Sequence, residues 1–225
     1  MRRDVFDRKA DRYDAWFDSP QGRAVFAAEV ECLRKLLPPD TSGWVEVGVG
    51  TGRFSAALEI PEGIDPSGPM LEKARERGIR TRRGRAEDLP YSTGSVAGVL
   101  LTVTLCFLDD PEAGLSECAR VLKPDGRILI GIVPAESPWG RHYREEAEQG
   151  HPFYSVARFY TCQETIELAR AAGFEFAGAA GTLPMAPEDD LSEIPVLDGI
   201  ADGCGFVGML FTERSTSDVR TVSEQ

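Results

Sequence analysis

Apolar residues at helical spacing open the chain. Phe6, Ala10, Tyr13 and Phe17 fall on one face, which predicts an amphipathic helix over residues 4–17. Ser19-Pro20 supplies an N-cap and a first-turn proline for a second helix reaching about Leu37, and Pro38-Pro39-Asp40 ends it. The pattern then alternates. Trp44–Val49, Pro61–Asp65, Ile79–Arg83, Val96–Val103 and Arg127–Val133 read as strands, the fourth a continuous apolar run suited to the middle of a parallel sheet. Between them lie a short helix at Phe54–Leu58, one capped by Ser67 and ended by Gly78, and one opened by Asp110-Pro111. Asp125-Gly126 marks a turn. Residues 134–160 break the rhythm with Pro134, Pro138, Trp139, both histidines, Phe153, Tyr154, Phe159 and Tyr160. Thr161-Cys-Gln-Glu164 is a capping box for a helix ending at Gly173. Late strands near Glu175–Thr182 and Cys204–Thr212 flank a Pro-rich, acidic loop over 183–203, and the polar tail from Ser215 is expected to fray.

Strands alternating with helices predict a three-layer α/β sandwich: seven mostly parallel strands, helices on both faces and an N-terminal helical cap. Residues 1–214 form one domain, with 1–40 as the cap, 134–160 as a lid-like insertion and 215–225 as a flexible tail. A ligand belongs beyond the carboxyl ends of strands one, two and four, where the strand order switches.

The chemistry concentrates at residues 45–54, Val-Glu-Val-Gly-Val-Gly-Thr-Gly-Arg-Phe, and at Gly63-Ile-Asp65-Pro66-Ser67. Glycines after a strand let a ligand approach the backbone. A carboxylate about 20 residues further on can accept hydrogen bonds from both ribose hydroxyls. Gly48, Gly50 and Gly52 fall one residue short of the dinucleotide form G-x-G-x-x-G, which weighs against a nicotinamide-dependent dehydrogenase. No basic residue lies inside the turn, and Glu46 would repel a phosphate and favour a sulfonium. These features suit S-adenosylmethionine, with S-adenosylhomocysteine as product. The bland alternative is a tight turn with no ligand.

In order along the chain, Val45–Phe54, Gly63–Leu71, Gly84-Arg-Ala86-Glu87-Asp-Leu89-Pro90 and Asp109-Asp-Pro111 through Gly126 resemble the motifs of the class I S-adenosylmethionine-dependent methyltransferases. The resemblance covers about residues 5–180 and is nearest to the ubiquinone/menaquinone-biosynthesis-type small-molecule branch. Arg85 stands where many members carry Asp. The resemblance implies a Rossmann-like fold and a set of roles. Gly48, Val49, Gly50 and Gly52 run beside the methionine and ribose portions, and Glu46 anchors the amino end. Asp65 binds the ribose, with Pro66 beside it. Ser67 and Met70 flank adenine, Ala86 and Glu87 reach its edge, and Thr102 and Val103 touch the methionine portion. Tyr13 and Trp16 fold over the cofactor or form a packing stripe. Cys106, Phe107, Trp139, Tyr143, Tyr154 and Tyr160 are the acceptor-pocket candidates. His142 or His151 is a candidate base, against the plainer reading of surface histidines. The resemblance implies a small-molecule acceptor, with O- or N-methylation favoured by the aromatic segment. The alternative is a non-catalytic scaffold, its pocket filled by Phe107 and Trp139.

A net charge of −12 argues against a nucleic-acid partner. The arginines at 80, 82, 83 and 85, and Arg141 with Arg144, read as solvated faces. Five widely spaced cysteines without C-x-x-C predict no structural metal, and Cys32 and Cys118 fall on core faces of helices. No apolar run suits a bilayer span and no leader pattern is present, so a cytoplasmic monomer or homodimer without a membrane partner is expected.

Overall fold

In the computed structural model, residues 2–214 are described. The predicted tail lies outside them. The sheet begins with β1 (Trp44–Val47), β2 (Glu62–Asp65), β3 (Arg80–Arg83), β4 (Val96–Thr102) and β5 (Leu122–Ile132). It is completed by β6 (Phe174–Thr182), β7 (Val196–Asp198) and β8 (Phe206–Glu213). Their order is β3-β2-β1-β4-β5-β8-β6-β7. The first five pair in parallel and the last three join antiparallel. From β1 the chain runs outward to β2 and β3, then returns to β4 on the other side. That reversal opens a crevice at the carboxyl ends of β1 and β4.

The sequence predicts seven strands and the structure has eight. The extra one, β7, sits inside the segment expected to be a loop and pairs with the end of β6 through Gly181 and Leu197. Three residues flanked by prolines and acids give no periodicity to read. β5 also starts earlier than predicted. Leu122 pairs with Val96, and the ladder resumes only at Gly98 and Arg127. The predicted turn survives as an irregularity between them, with Asp125 at φ +66°.

The helices are α1 (Arg2–Trp16), α2 (Pro20–Arg34), α3 (Arg53–Ala57), α4 (Gly68–Glu76), α5 (Pro111–Val121), α6 (Pro138–Glu148) and α7 (Cys162–Ala171). Ser19, Ser67, Asp110 and Thr161 cap four of them, and Thr161 with Glu164 completes a capping box. α1 breaks at Lys9, whose backbone is non-helical. α6 lies within the aromatic segment. Its signal is the Ser137-Pro138 pair, the same cap and first-turn proline that starts α2, and the Ser137 hydroxyl accepts from Gly140 N at 2.9 Å.

Cores form on both faces of the sheet. Val99, Leu101, Ile128 and Ile130 meet Leu115, Cys118, Ile166 and Ala169 of α5 and α7. On the other face, Trp44, Leu100 and Leu129 meet Val25, Cys32 and Leu33 of α2. Glycines make room for large neighbours. A Cβ on Gly98 would land in the Trp44 ring, and one on Gly205 would strike Trp139. One on Gly131 would lie 2.6 Å from the Phe206 ring. No helix among the described residues is long and apolar enough to cross a membrane.

Candidate active site

A cavity of about 350 Å³ opens at the crevice. Gly48 and Gly50 come from the turn after β1, and Asp65, Pro66, Ser67 and Met70 from the end of β2 into α4. Ala86 and Glu87 follow β3, while Thr102 ends β4 and Val103 and Phe107 follow it. α1 contributes Asp4, Phe6 and Tyr13.

The turn is built from backbone. The amides of Gly48 and Val49 both donate to the Ile64 carbonyl, at 2.8 and 2.9 Å. Gly48 has φ +77°, and a Cβ there would run into Thr104. Gly50 has φ +52°, and the nearest atom to a Cβ there is Tyr13 Cε1 at 4.0 Å, so this side of the turn stays open. Asp65 ties the pieces together. One carboxylate oxygen accepts from Gly50 N at 3.0 Å, the other from Ser67 N at 2.8 Å. The Thr102 hydroxyl is buried at the cavity wall without a hydrogen-bond partner. An open glycine edge, a carboxylate and an unsatisfied hydroxyl fit a nucleoside carrying a polar amino-acid tail.

Four of the residues expected at the cofactor do not line the cavity. Glu46 turns into the fold, where its carboxylate accepts from the Ser55 hydroxyl at 2.5 Å. Burial pushes its pKa up to about 8, against the opposing hydrogen bonds from Ser55. Val49 packs with Leu71, Ala74 and Ile79. Gly52, at φ +81°, fits against Ala74, so it serves the packing of α4 on the turn. Trp16 packs edge-on against Phe17, with ring centroids 5.1 Å apart.

The acceptor candidates divide. Phe107 lines the cavity and meets the Phe6 ring at 5.0 Å. It borders open space and does not fill it. Trp139 lies in the second core with Nε1 donating to Met185 O at 2.8 Å, so it cannot plug the cavity. Cys106 and Tyr160 border a separate gap of about 20 Å³. Tyr143 stacks on Tyr154 at 4.3 Å, and His151 stacks on Tyr154 at 4.2 Å. His151 Nδ1 accepts from Tyr154 N at 3.4 Å. Burial lowers the His151 pKa, with help from Arg12 and against Glu146. His142 is half-exposed on α6, its ring 5.7 Å from Tyr143. Neither histidine lines the cavity.

The residues matched by the family model for the methyltransferase domain are 45–130. A Mycobacterium tuberculosis protein whose name assigns no role is 39% identical over 209 residues, covering 92% of this chain and 73% of its own. A solved structure of an S-adenosylmethionine-dependent methyltransferase from Thermotoga maritima is 38% identical. It superposes with a TM-score of 0.87 and covers 93% of this chain and 99% of its own. The chain belongs to the class I S-adenosylmethionine-dependent methyltransferases. A ubiquinone/menaquinone biosynthesis C-methyltransferase of Brucella anthropi is 28% identical over 56% of the chain and 54% of its own.

In this methyltransferase, α1 is held over the site by a clamp that the sequence reading missed. Asp14 accepts from Arg53 Nε at 2.7 Å and from Arg77 Nη2 at 2.8 Å. Burial alone would raise the Asp14 pKa, but hydrogen bonds from Arg53, Thr51 and Arg77 outweigh it and hold the carboxyl well below its usual range. Arg53 and Arg77 lie 39 and 63 residues from Asp14 in sequence, so no local pattern could expose them. Arg85, at the cavity, pairs with Asp109 and Glu87.

Proposed function

We propose that this methyltransferase binds S-adenosylmethionine in the cavity and methylates a nitrogen or oxygen of a small-molecule acceptor. The observation that carries the cofactor placement is Asp65, whose carboxylate joins the open Gly50 edge to the start of α4 and is part of the cavity lining. Bound S-adenosylmethionine supplies a methyl group on a sulfonium, an electrophilic carbon with a neutral thioether as leaving group. The protein's own work is to hold the acceptor in line and to exclude water. Asp65 accepts from the ribose hydroxyls. Met70 and Ala86 present apolar surface to adenine, and Glu87 lies at its edge. Thr102 and Val103 border the methionine portion, and Phe6, Tyr13 and Phe107 shield the reacting end.

A heteroatom acceptor is favoured over carbon by the description of the Thermotoga maritima protein, which names histamine N-methylation as its candidate activity. Carbon methylation is the second reading, supported by the quinone-pathway C-methyltransferase among the relatives. Isothermal titration with S-adenosylmethionine and S-adenosylhomocysteine tests the placement. Micromolar binding of both is expected. Absence of binding to folded protein sinks it and favours a scaffold. Methyl transfer to candidate acceptors, followed by mass spectrometry of the product, then assigns the atom.

A further inference from the structure

We infer that Glu29 receives the methyl acceptor, and that this acceptor is an amine bound as its ammonium against the Glu29 carboxylate, among the Tyr13, Tyr143 and Tyr154 side chains. The inference rests on the methyl-transfer reading above.

Glu29 is the one charged residue that α2 turns inward, beside Val25, Ala28 and Leu33. It is 6% exposed. Among the described residues it has neither a hydrogen-bond donor nor an ion-pair partner. A buried carboxylate in that condition opposes folding, and an isosteric amide or an apolar side chain would serve the core better. Packing therefore gives no reason for it.

Its surroundings supply one. The Glu29 charge acts through space on Tyr13, Tyr143 and Tyr154, which come from α1, α6 and the short turn after it. Tyr13 also lines the cofactor cavity and feels Glu46 and Cys106. It thus belongs both to the cavity wall and to the surroundings of Glu29. Tyr143 stacks on Tyr154, whose other face His151 covers, so these two bring their phenol edges rather than open faces to the site. A carboxylate lacking a cation, walled by tyrosines and sharing one of them with the cofactor cavity, is a receptor for an ammonium group.

The chemistry balances. The ammonium gives one proton to the Glu29 carboxylate, which frees the nitrogen lone pair. That pair forms the carbon–nitrogen bond as the carbon–sulfur bond breaks with its electrons on sulfur. The methylated nitrogen keeps the positive charge. Burial holds the Glu29 pKa up at about 8, so in the empty protein the group carries a proton near neutral pH, releases it to solvent when the ammonium binds, and is protonated again by the nitrogen's proton at the end of the cycle.

The test uses the whole chain saturated with S-adenosylhomocysteine. Histamine, tyramine and phenethylamine are titrated calorimetrically beside the neutral alcohols tyrosol and 2-phenylethanol, in wild type and Glu29→Gln. At least one amine is expected to bind, with the Glu29→Gln variant, and the alcohol of the same skeleton where the set holds one, each weaker by roughly 30-fold or more. S-adenosylhomocysteine affinity should stay within about twofold in the variant, since Glu29 lies off the cavity lining. Equal binding of amines and alcohols overturns the inference. So does unchanged amine binding in Glu29→Gln, or no amine binding while S-adenosylhomocysteine binds. Loss of S-adenosylhomocysteine binding in wild type instead removes the methyl-transfer reading, and this inference with it.

Discussion

Replacing Asp65 by Ala separates the tie that its carboxylate makes to the turn from the ribose contact we propose for it. In the folded protein its oxygens accept from Gly50 N at 3.0 Å and Ser67 N at 2.8 Å. Hydrogen bonds to a charged acceptor contribute about 1.5–3 kcal/mol each. Asp65 is only half-buried, so water can take over both amides and the low end applies. The folding loss is then about 3 kcal/mol, a fall in Tm of roughly 6–12 °C for a chain of this size. The cofactor should lose a comparable amount. Two ribose hydrogen bonds to a carboxylate are worth about 2–4 kcal/mol, which weakens S-adenosylhomocysteine binding roughly 30- to 1000-fold. Calorimetric titration and thermal unfolding of the same preparation read the two effects. Asp65→Asn, with one acceptor oxygen left, should fall between. A lowered Tm with cofactor affinity within about threefold of wild type would refute the ribose role and leave Asp65 as a tie for the turn alone.

The glycine turn gives a paired prediction. Gly48→Ala forces a Cβ into Thr104 on top of the strain of its left-handed backbone and should cost the larger Tm drop, whereas Gly50→Ala has room for its Cβ, should lose only the backbone strain in Tm, and should lose cofactor affinity by titration. Asp14→Asn should destabilise by about 2–3 kcal/mol, because Arg53 and Arg77 lose a shared anion. The Asp14 pKa is depressed, so its contribution is whole above the ordinary carboxylate range and fades as pH falls below it. The variant's acid unfolding curve should lack that part of the slope. Glu29 behaves oppositely. Its pKa rises from 4.5 to about 8, so the folded protein holds a proton that the unfolded chain has released, and stability declines as pH climbs through that window. Tyr13, Tyr143 and Tyr154 face it, with Cys32 on its own helix, and burial raises all four pKa values, so none titrates there. Glu29→Gln should remove up to about 4 kcal/mol of that decline, leaving the Glu46 share, as measured by denaturant unfolding at pH 5 and 8. An unchanged slope would contradict the buried, unpaired state.

The parallel half of the sheet was legible because each strand is a short apolar run ending in a turn or cap signal. β7 was not, since three residues carry no period, and α6 was masked because its Ser137-Pro138 start opens into an aromatic-rich segment without a clear helical stripe. The cavity lining was legible for a similar reason. Gly48, Gly50, Asp65, Ser67 and Met70 lie close in sequence, on two strand ends that the sheet brings side by side. Glu46 was expected at the cofactor because of its place in the motif. Strand alternation instead sends Val47 to the cavity and Glu46 to Ser55. The acceptor side and the Asp14 clamp depend on how α1, α2 and α6 pack, and contacts between distant helices leave no spacing to read. Glu29 illustrates the limit. In the sequence it is one acid among many, and only its burial sets it apart.

The glycines that receive aromatic rings have a consequence for how this sequence can change over time. Gly98 and Trp44 face each other on neighbouring strands, Gly205 accommodates Trp139, and Gly131 accommodates Phe206. Neither member of such a pair can drift alone. A methyl group on the glycine collides with the ring, and a smaller ring leaves a void beside the glycine. Among divergent relatives these positions should therefore exchange together, as a larger residue facing a smaller one with the order conserved or reversed. They would then appear as correlated columns even where neither position is invariant.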